Sequence, residues 1–316
     1  MSKETSVENH KIYRFISFFE LYETLCNKKL RLSKLSTFED KNEAIGQVIQ
    51  QQSYYPYTLK TSNQLLEEQA SVLHNTYAIC WTQESEMIAM WSLYSPDCMS
   101  IRVSTSTSKL NAAIEKANQK LHWSNFINEA GSRRLVSWMS ALETIKYVDF
   151  SALRKLAMDR NKSFKMKCEE KFKSDQSYYA TQAGHDDWND HQEKLQEIFM
   201  GGIFLKDISY SHKNEIRGIL NCGIRNDVTL NELQEAKTFS TWLHSRANLD
   251  ELPSYIFIDV ENNFIDDICF DPRIPAYKKD VFMQLLKGIS VRITESKAFG
   301  SHLDGKLFEL ESDELE

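Results

Sequence analysis

The stretch 204–220, FLKDISYSHKNEIRGIL, carries Lys206, His212, Lys213, Glu215 and Arg217 among alternating apolar residues. Alternation marks a strand, because successive side chains leave a pleated backbone on opposite faces. On that period Asn214, Ile216, Gly218 and Leu220 share one face, and Glu215, Arg217 and Ile219 share the other. One face suits a core. The other sets a carboxylate two residues from a guanidinium, which serves equally as an exposed ion pair on a strand or as a catalytic carboxylate beside a cation.

Working outward, strand patterns cluster at both ends of the chain. KIYRFIS (11–17), LRLSKLS (30–36), TYAICWT (76–82) and CMSIRVS (98–104) precede 204–220, and SYIFIDV, DDICFD and SVRITES follow it. Helical periodicity fills FFELYETLCNKK, NQLLEEQASVLHN, SEMIAMWSLYS, KLNAAIEKANQKL and AYKKDVFMQLLKG, the last stopping at Gly288 as a helix does. The region 111–200 is polar, helix-rich and poor in strand signals, so it is expected to be a helical insertion. Distant strands around a helical middle imply a single α+β domain over 1–316, with a mixed or antiparallel central sheet and flanking helices.

Composition narrows the class. A hydrophobic fraction of 41% and an aromatic fraction of 11% are ample for a packed interior, and 26% charged residues is close to the usual quarter. The six cysteines, Cys26, Cys80, Cys98, Cys168, Cys222 and Cys269, show no CxxC pair and no framework spacing. Reduced thiols in a cytoplasmic setting fit that pattern best. The opening MSKETSVENHK lacks an apolar signal region, and no run of about 18 apolar residues suggests a membrane span. The net charge of −7 argues against a generally basic nucleic-acid binder, yet 154–173 is rich in Lys and Arg. Phosphate-loop, dinucleotide-binding, zinc-protease and esterase signatures are all missing from the sequence.

Four islands give a resemblance. They are Tyr13-Arg14-Phe15; FEDKNE, from Phe38 to Glu43; MWSLY, from Met90 to Tyr94, followed by Ile101-Arg102-Val103; and Lys206 followed by KNEIR, from Lys213 to Arg217. In that order they resemble a widespread bacterial family catalogued as a domain of unknown function, with YRF, D-x-x-E, MWxxY and K…ExExR motifs. The chain departs from that pattern at Lys213, where the family has an acid, and at Lys41, where it has a proline. A fainter similarity is to ADP-ribosyltransferases that modify nucleic acid. It implies an ADP-ribosyltransferase-like fold, NAD as substrate, Glu215 as catalytic carboxylate with Arg217 beside it, and Tyr13, Arg14, Ser36, Trp91, Tyr94 and Lys206 around the cofactor. The function implied is an effector or toxin enzyme of bacterial defence. The alternative is a non-catalytic module of an anti-phage system that senses a ligand or a partner protein, and the loss of an acid at Lys213 favours it.

Bland readings stand beside these. Trp91 and Tyr94, three apart, suit a helix face docked on a core, shaping a pocket without doing chemistry. HDDWNDHQE (185–193) offers His185, Asp186, Asp187, Asp190 and His191 to a metal, but Asp186 or Asp187 fits better as the cap of a helix. FIDDICFDP offers Asp266, Asp267 and Asp271 without a completing E-x-K, so no metal site is expected. Arg154, Lys155, Arg160, Lys162, Lys165 and Lys167 suit a solvated helix face, a nucleic-acid backbone or an acidic partner, the acidic tail ELESDELE among them. Arg14 and Glu215 are expected to line one cleft with Tyr13.

Overall fold

The structure is a computed structural model of the chain and describes residues 9–40, 42–43, 72–126, 134–174, 177, 181–199, 202–225 and 252–299. It is α+β, with a mixed, mostly antiparallel sheet and flanking helices. The single domain expected from the sequence resolves into two compact units, each built from discontinuous stretches: Met1–Leu30, Trp81–Ala113 and Ile258–Glu316 in the first, Arg31–Cys80 and Ile114–Phe257 in the second. Most of the helix expected over 63–75 and the acidic tail lie outside the described residues. No helix among the described residues is long and apolar enough to cross a membrane.

In the first unit β1 (Lys11–Ile16) pairs antiparallel with β4 (Ile101–Ser106), β4 with β10 (Asp267–Phe270), and β10 runs parallel to β11 (Arg292–Thr294). Directly opposed residues share a sheet face, so the register sorts the side chains. Ile12, Ile16, Ile101, Val103, Ile268 and Phe270 form one buried apolar face. Two helices cover it: Phe18 of α1 (Phe18–Cys26) stacks on Phe282 of α6 (Ala276–Leu285) at 4.2 Å, and Phe282 reaches Phe270 at 6.2 Å. Helix α1 starts at Ser17, whose hydroxyl accepts the Glu20 N–H. On the opposite face Phe15 and Cys269 meet Met90 and Trp91 of α2 (Ile88–Tyr94).

In the second unit β8 (Glu215–Arg225) pairs antiparallel with β5 (Arg134–Thr144), and the same β8 lies beside β3 (Thr76–Thr82), which pairs with β2 (Lys29–Lys34). The expected helical insertion is therefore corrected, because 111–200 supplies the eleven-residue β5 and the short β6 (Lys146–Val148). A bulge between Ser137 and Met139 shifts the phase of β5, which breaks the simple alternation by which a strand is recognised. The rest of that segment is helical: α3 (Thr107–Leu121), α4 (Phe150–Ser174) and α5 (Gln182–Phe199). The strand expected over IFLKDISYS shrinks to β7 (Leu205–Asp207), parallel to β6, with 3-10 turns on both sides. Asp207 accepts the Ser209 N–H to start the second turn, and Asn214 ends it in the left-handed region at φ 39°.

Gly218 marks where helix meets sheet. A β-carbon built there would lie 2.2 Å from Cδ1 of Ile114 on α3, with Ile79 and Leu142 at 3.4 and 3.5 Å. Overpacking of this kind costs about 1–3 kcal/mol, so Gly218→Ala is expected to lower the unfolding free energy by that much and to move the urea midpoint down accordingly. An unchanged midpoint would mean that Ile114 repacks freely.

Candidate functional site

Strand β8 does not split into a core face and an open face. Residues 215–220 are buried throughout, and Arg217, with 0% of its surface exposed, is among the largest fully buried side chains. A guanidinium removed from water must have its charge and all five N–H donors answered inside the protein. Three segments answer them. Nη1 donates to Glu43 Oε2 and to the Ile203 carbonyl, both at 2.7 Å. Nη2 donates to Glu43 Oε1 and Glu215 Oε1, each at 3.0 Å, and Nε donates to Glu215 Oε1 at 3.1 Å. The ring of Phe38 lies 5.8 Å from the guanidinium carbon.

Lys206 completes the group. Its ammonium is 2.7 Å from Glu215 Oε2 and 3.3 Å from Glu43 Oε1. Two carboxylates and two cations thus form a neutral, buried quartet. Backbone geometry holds it in place: the Tyr147 hydroxyl accepts the Glu215 N–H at 2.8 Å, and the Glu215 carbonyl accepts the Ile145 N–H at 2.9 Å. The register sets Glu143 directly opposite Arg217, yet the carboxylates that Arg217 binds are Glu43 and Glu215. The exposed ion pair read from the sequence is corrected to a buried quartet.

Ionisation follows from this packing. Burial alone would raise the Glu215 carboxyl, but Arg217 and Lys206 outweigh it and hold it below the ordinary carboxylate value. Burial alone would lower Lys206, but the neighbouring carboxylates hold it above the ordinary lysine value. Cys80, at the edge of the quartet, is pushed up to about 12 chiefly by burial and is a neutral thiol at neutral pH. The Tyr147 hydroxyl is likewise pushed up to about 12 by burial. Glu215, Lys206, Cys80 and Tyr147 are thus all shifted away from exchanging a proton near neutrality.

Of the residues singled out from the sequence, Lys206, Glu215 and Arg217 come together here. Ser36 belongs to the same unit, half-buried in the 3-10 turn Leu35–Thr37. Glu43, the last residue of FEDKNE, joins them although nothing in the sequence pattern marks it beyond that island. Lys213, where the resembled family has an acid, is no member of the quartet and lies 5.0 Å over the Tyr210 ring.

Tyr13, Arg14, Trp91 and Tyr94 belong to the first unit. Adjacent on β1, Tyr13 and Arg14 leave on opposite sheet faces. Arg14 pairs with Glu20 of α1 at 2.7 Å, whereas Tyr13 lies under Arg102 at 5.3 Å. Trp91 is fully buried, edge-on to Phe15 at 4.7 Å, and Tyr94, 43% exposed, stacks on the same Phe15 ring at 6.3 Å, so the two form one helix face docked on β1.

The acidic baits have structural partners. Lys109 pairs with Asp266, Lys11 and Arg292 with Asp267, and Arg273 with Asp271. Helix α5 is capped by Thr181, whose hydroxyl accepts the Gly184 N–H; Asp186 and Asp187 lie inside the helix, Asp187 pairing with Lys167. His191 stacks on Phe164 at 4.0 Å, and burial lowers its pKa to about 4. No group of three or more potential ligands among the described residues is placed to hold a metal ion. Arg154, Lys155, Lys162, Lys165 and Lys167 are exposed along α4, while Arg160 donates to the Lys194 carbonyl.

Comparison of the chain with family models, curated proteins and solved structures finds no match in any of the three.

Two outcomes follow for the quartet. Arg217→Ala leaves two buried carboxylates facing one ammonium and is expected to cost about 3–5 kcal/mol in denaturant unfolding. Glu215→Gln, which leaves Arg217 its bidentate Glu43, is expected to cost about 1–3 kcal/mol. The pH dependence has two limbs. A depressed carboxylate contributes stability that is complete above its unfolded value of 4.5 and lost as pH falls through the folded one; a raised lysine contributes stability that is complete below 10.5 and lost above it. Stability from the quartet should be flat between those values, and Glu215→Gln should shrink the acid limb in melts taken across pH.

Proposed function

We propose that the chain is a non-catalytic sensing module, recognising a ligand or a partner protein, in the anti-phage setting that its motif resemblance implies. One observation carries this reading: every donor of Arg217 is spent inside the protein, and both Glu215 oxygens are engaged by Arg217 and Lys206. A carboxylate that stabilises a cationic ribosyl transition state needs uncompensated negative charge directed at the substrate. Here that charge is neutralised within the fold by Arg217 and Lys206, which it shares with Glu43. The quartet then serves to hold the architecture, and recognition falls to other surfaces.

ADP-ribose transfer from NAD, with Glu215 catalytic, is the competing reading and sets the test. Incubated with labelled NAD and total cellular RNA, DNA and protein, the chain is expected to transfer no label. Label transfer that disappears in a folded Glu215→Gln variant would overturn the sensing reading and restore the enzyme. In a phage-protection assay, protection should follow the melting temperature of quartet variants and not the presence of the Glu215 charge.

A further inference from the structure

A second polar cluster lies in the first unit, on the sheet face turned away from the apolar core. The register lays Tyr13 beside Thr82 on one side and beside Ser104 and then Asp267 on the other. The next row holds Phe15, Arg102 and Cys269. Thr82, Ser104, Asp267 and Arg102 are all buried, an uncommon composition for a covered sheet face. Tyr13 is half-buried and Lys11 exposed, so one end of the cluster is open to water.

The acids here are already neutralised. Asp267 accepts from Lys11 at 2.6 Å and from Arg292 at 2.9 Å, and Glu86 accepts from Arg102 Nη1 at 2.6 Å. Among these five groups, three cations face two carboxylates. Glu86 also accepts from the Ser296 hydroxyl at 2.6 Å and the Ala298 N–H at 3.3 Å, fastening that segment beside the cluster. Arg102 Nη1 further donates to the Ser85 carbonyl, but its Nε is buried with no hydrogen-bond partner among the described residues. The indole N–H of Trp91, packed on Phe15 from the neighbouring row, is in the same condition. Both unanswered groups are donors. A buried donor without an acceptor is costly, and a positive site with spare donors is complementary to an oxyanion, above all on the edge of a guanidinium.

We propose that the face formed by Tyr13, Arg102, Lys11 and Arg292 binds an oxyanion, the phosphate or carboxylate group of a small ligand. Arg102 is the anchor, Lys11 and Arg292 supply field at the open end, and the Tyr13 ring forms the wall beneath the guanidinium. The site names the ligand class for the sensing reading and rests on that reading. The basic residue sharing the face of Tyr13 is Arg102, from β4, and not its chain neighbour Arg14.

Calorimetric titration and thermal melts of the full chain with inorganic phosphate and with acetate, at ionic strength held constant with sodium chloride, test the site. At least one anion is expected to bind saturably with one site per chain and to raise the melting temperature, and the preferred anion identifies the source. Lys11→Gln is expected to weaken binding about threefold, and Arg102→Lys, which loses the fork of donors, about tenfold or more. Because Arg102 is buried, Tyr13→Ala serves as a second variant at the open end, and it too should weaken binding while the protein stays folded. Lys155→Gln on α4 should leave binding unchanged. The absence of saturable binding by either anion would overturn the proposal, as would unchanged affinity in both Lys11→Gln and Tyr13→Ala, or loss of binding in Lys155→Gln. Failure of this titration together with absent label transfer from NAD removes the oxyanion site alone; label transfer from NAD removes the sensing reading itself.

Discussion

A guanidinium with no exposed surface is the constraint on which the second unit depends. Arg217 cannot shed its proton, so folding must deliver two carboxylates, a carbonyl and a compensating ammonium to one point. These groups come from the turn at Asp40–Glu43, from the 3-10 turn at Gly202–Phe204, from β7 and from β8 itself. None of the four can be misplaced without stranding a charge, so one side chain fixes where several loops must lie. Apolar packing then closes around them: Leu35, Ala78, Ile145, Ile203, Phe204 and Ile219 form one cluster, with Phe38 and Tyr147 packed on it.

The first unit is organised on a different principle. Its sheet has one apolar face, sealed by α1 and α6 through the Phe18, Phe282 and Phe270 rings, and one polar face whose charges are mostly answered in pairs. The second unit therefore spends its charges on internal structure and leaves none of the quartet's donors over. The first leaves the Arg102 Nε and the Trp91 indole N–H among its unanswered buried donors, on the sheet face of a half-open tyrosine. That asymmetry is what assigns holding to one cluster and recognition to the other.

Much of this was legible in the sequence wherever the signal was local. The alternation of NEIRGIL located β8, the helical periodicity of FFELYETLCNKK located α1, and the α+β class followed from the scatter of strand patterns. What could not be read was long-range. Nothing near Glu43 in the chain says that it will meet Arg217, 174 residues away, and burial of both faces of β8 is a property of what packs on it. The pairing of Arg102 with Tyr13 was hidden for the same reason, since Arg14 is the covalent neighbour and only strand register shows that it faces the other way. Strand β5 escaped because its bulge interrupts the two-residue period.

The retention of four buried charges has a reason beyond stability, given that apolar residues of equal volume can match such groups energetically. The two faces of β8 make opposite demands at consecutive positions. Gly218 must face α3, where Ile114 leaves no room for a β-carbon, and Arg217 must face Glu43 and Glu215. A slip of one residue along β5 would turn every side chain of β8 to the other face. It would drive a guanidinium into Ile114 and Leu142, turn Glu215 away from Lys206, and leave the Glu43 carboxylate without its guanidinium. An all-apolar strand would tolerate that slip at modest cost, because either face would remain greasy. The charged strand does not tolerate it, and the quartet therefore acts as a lock on register, trading the desolvation of four ions for a single permitted alignment of β8 with β5.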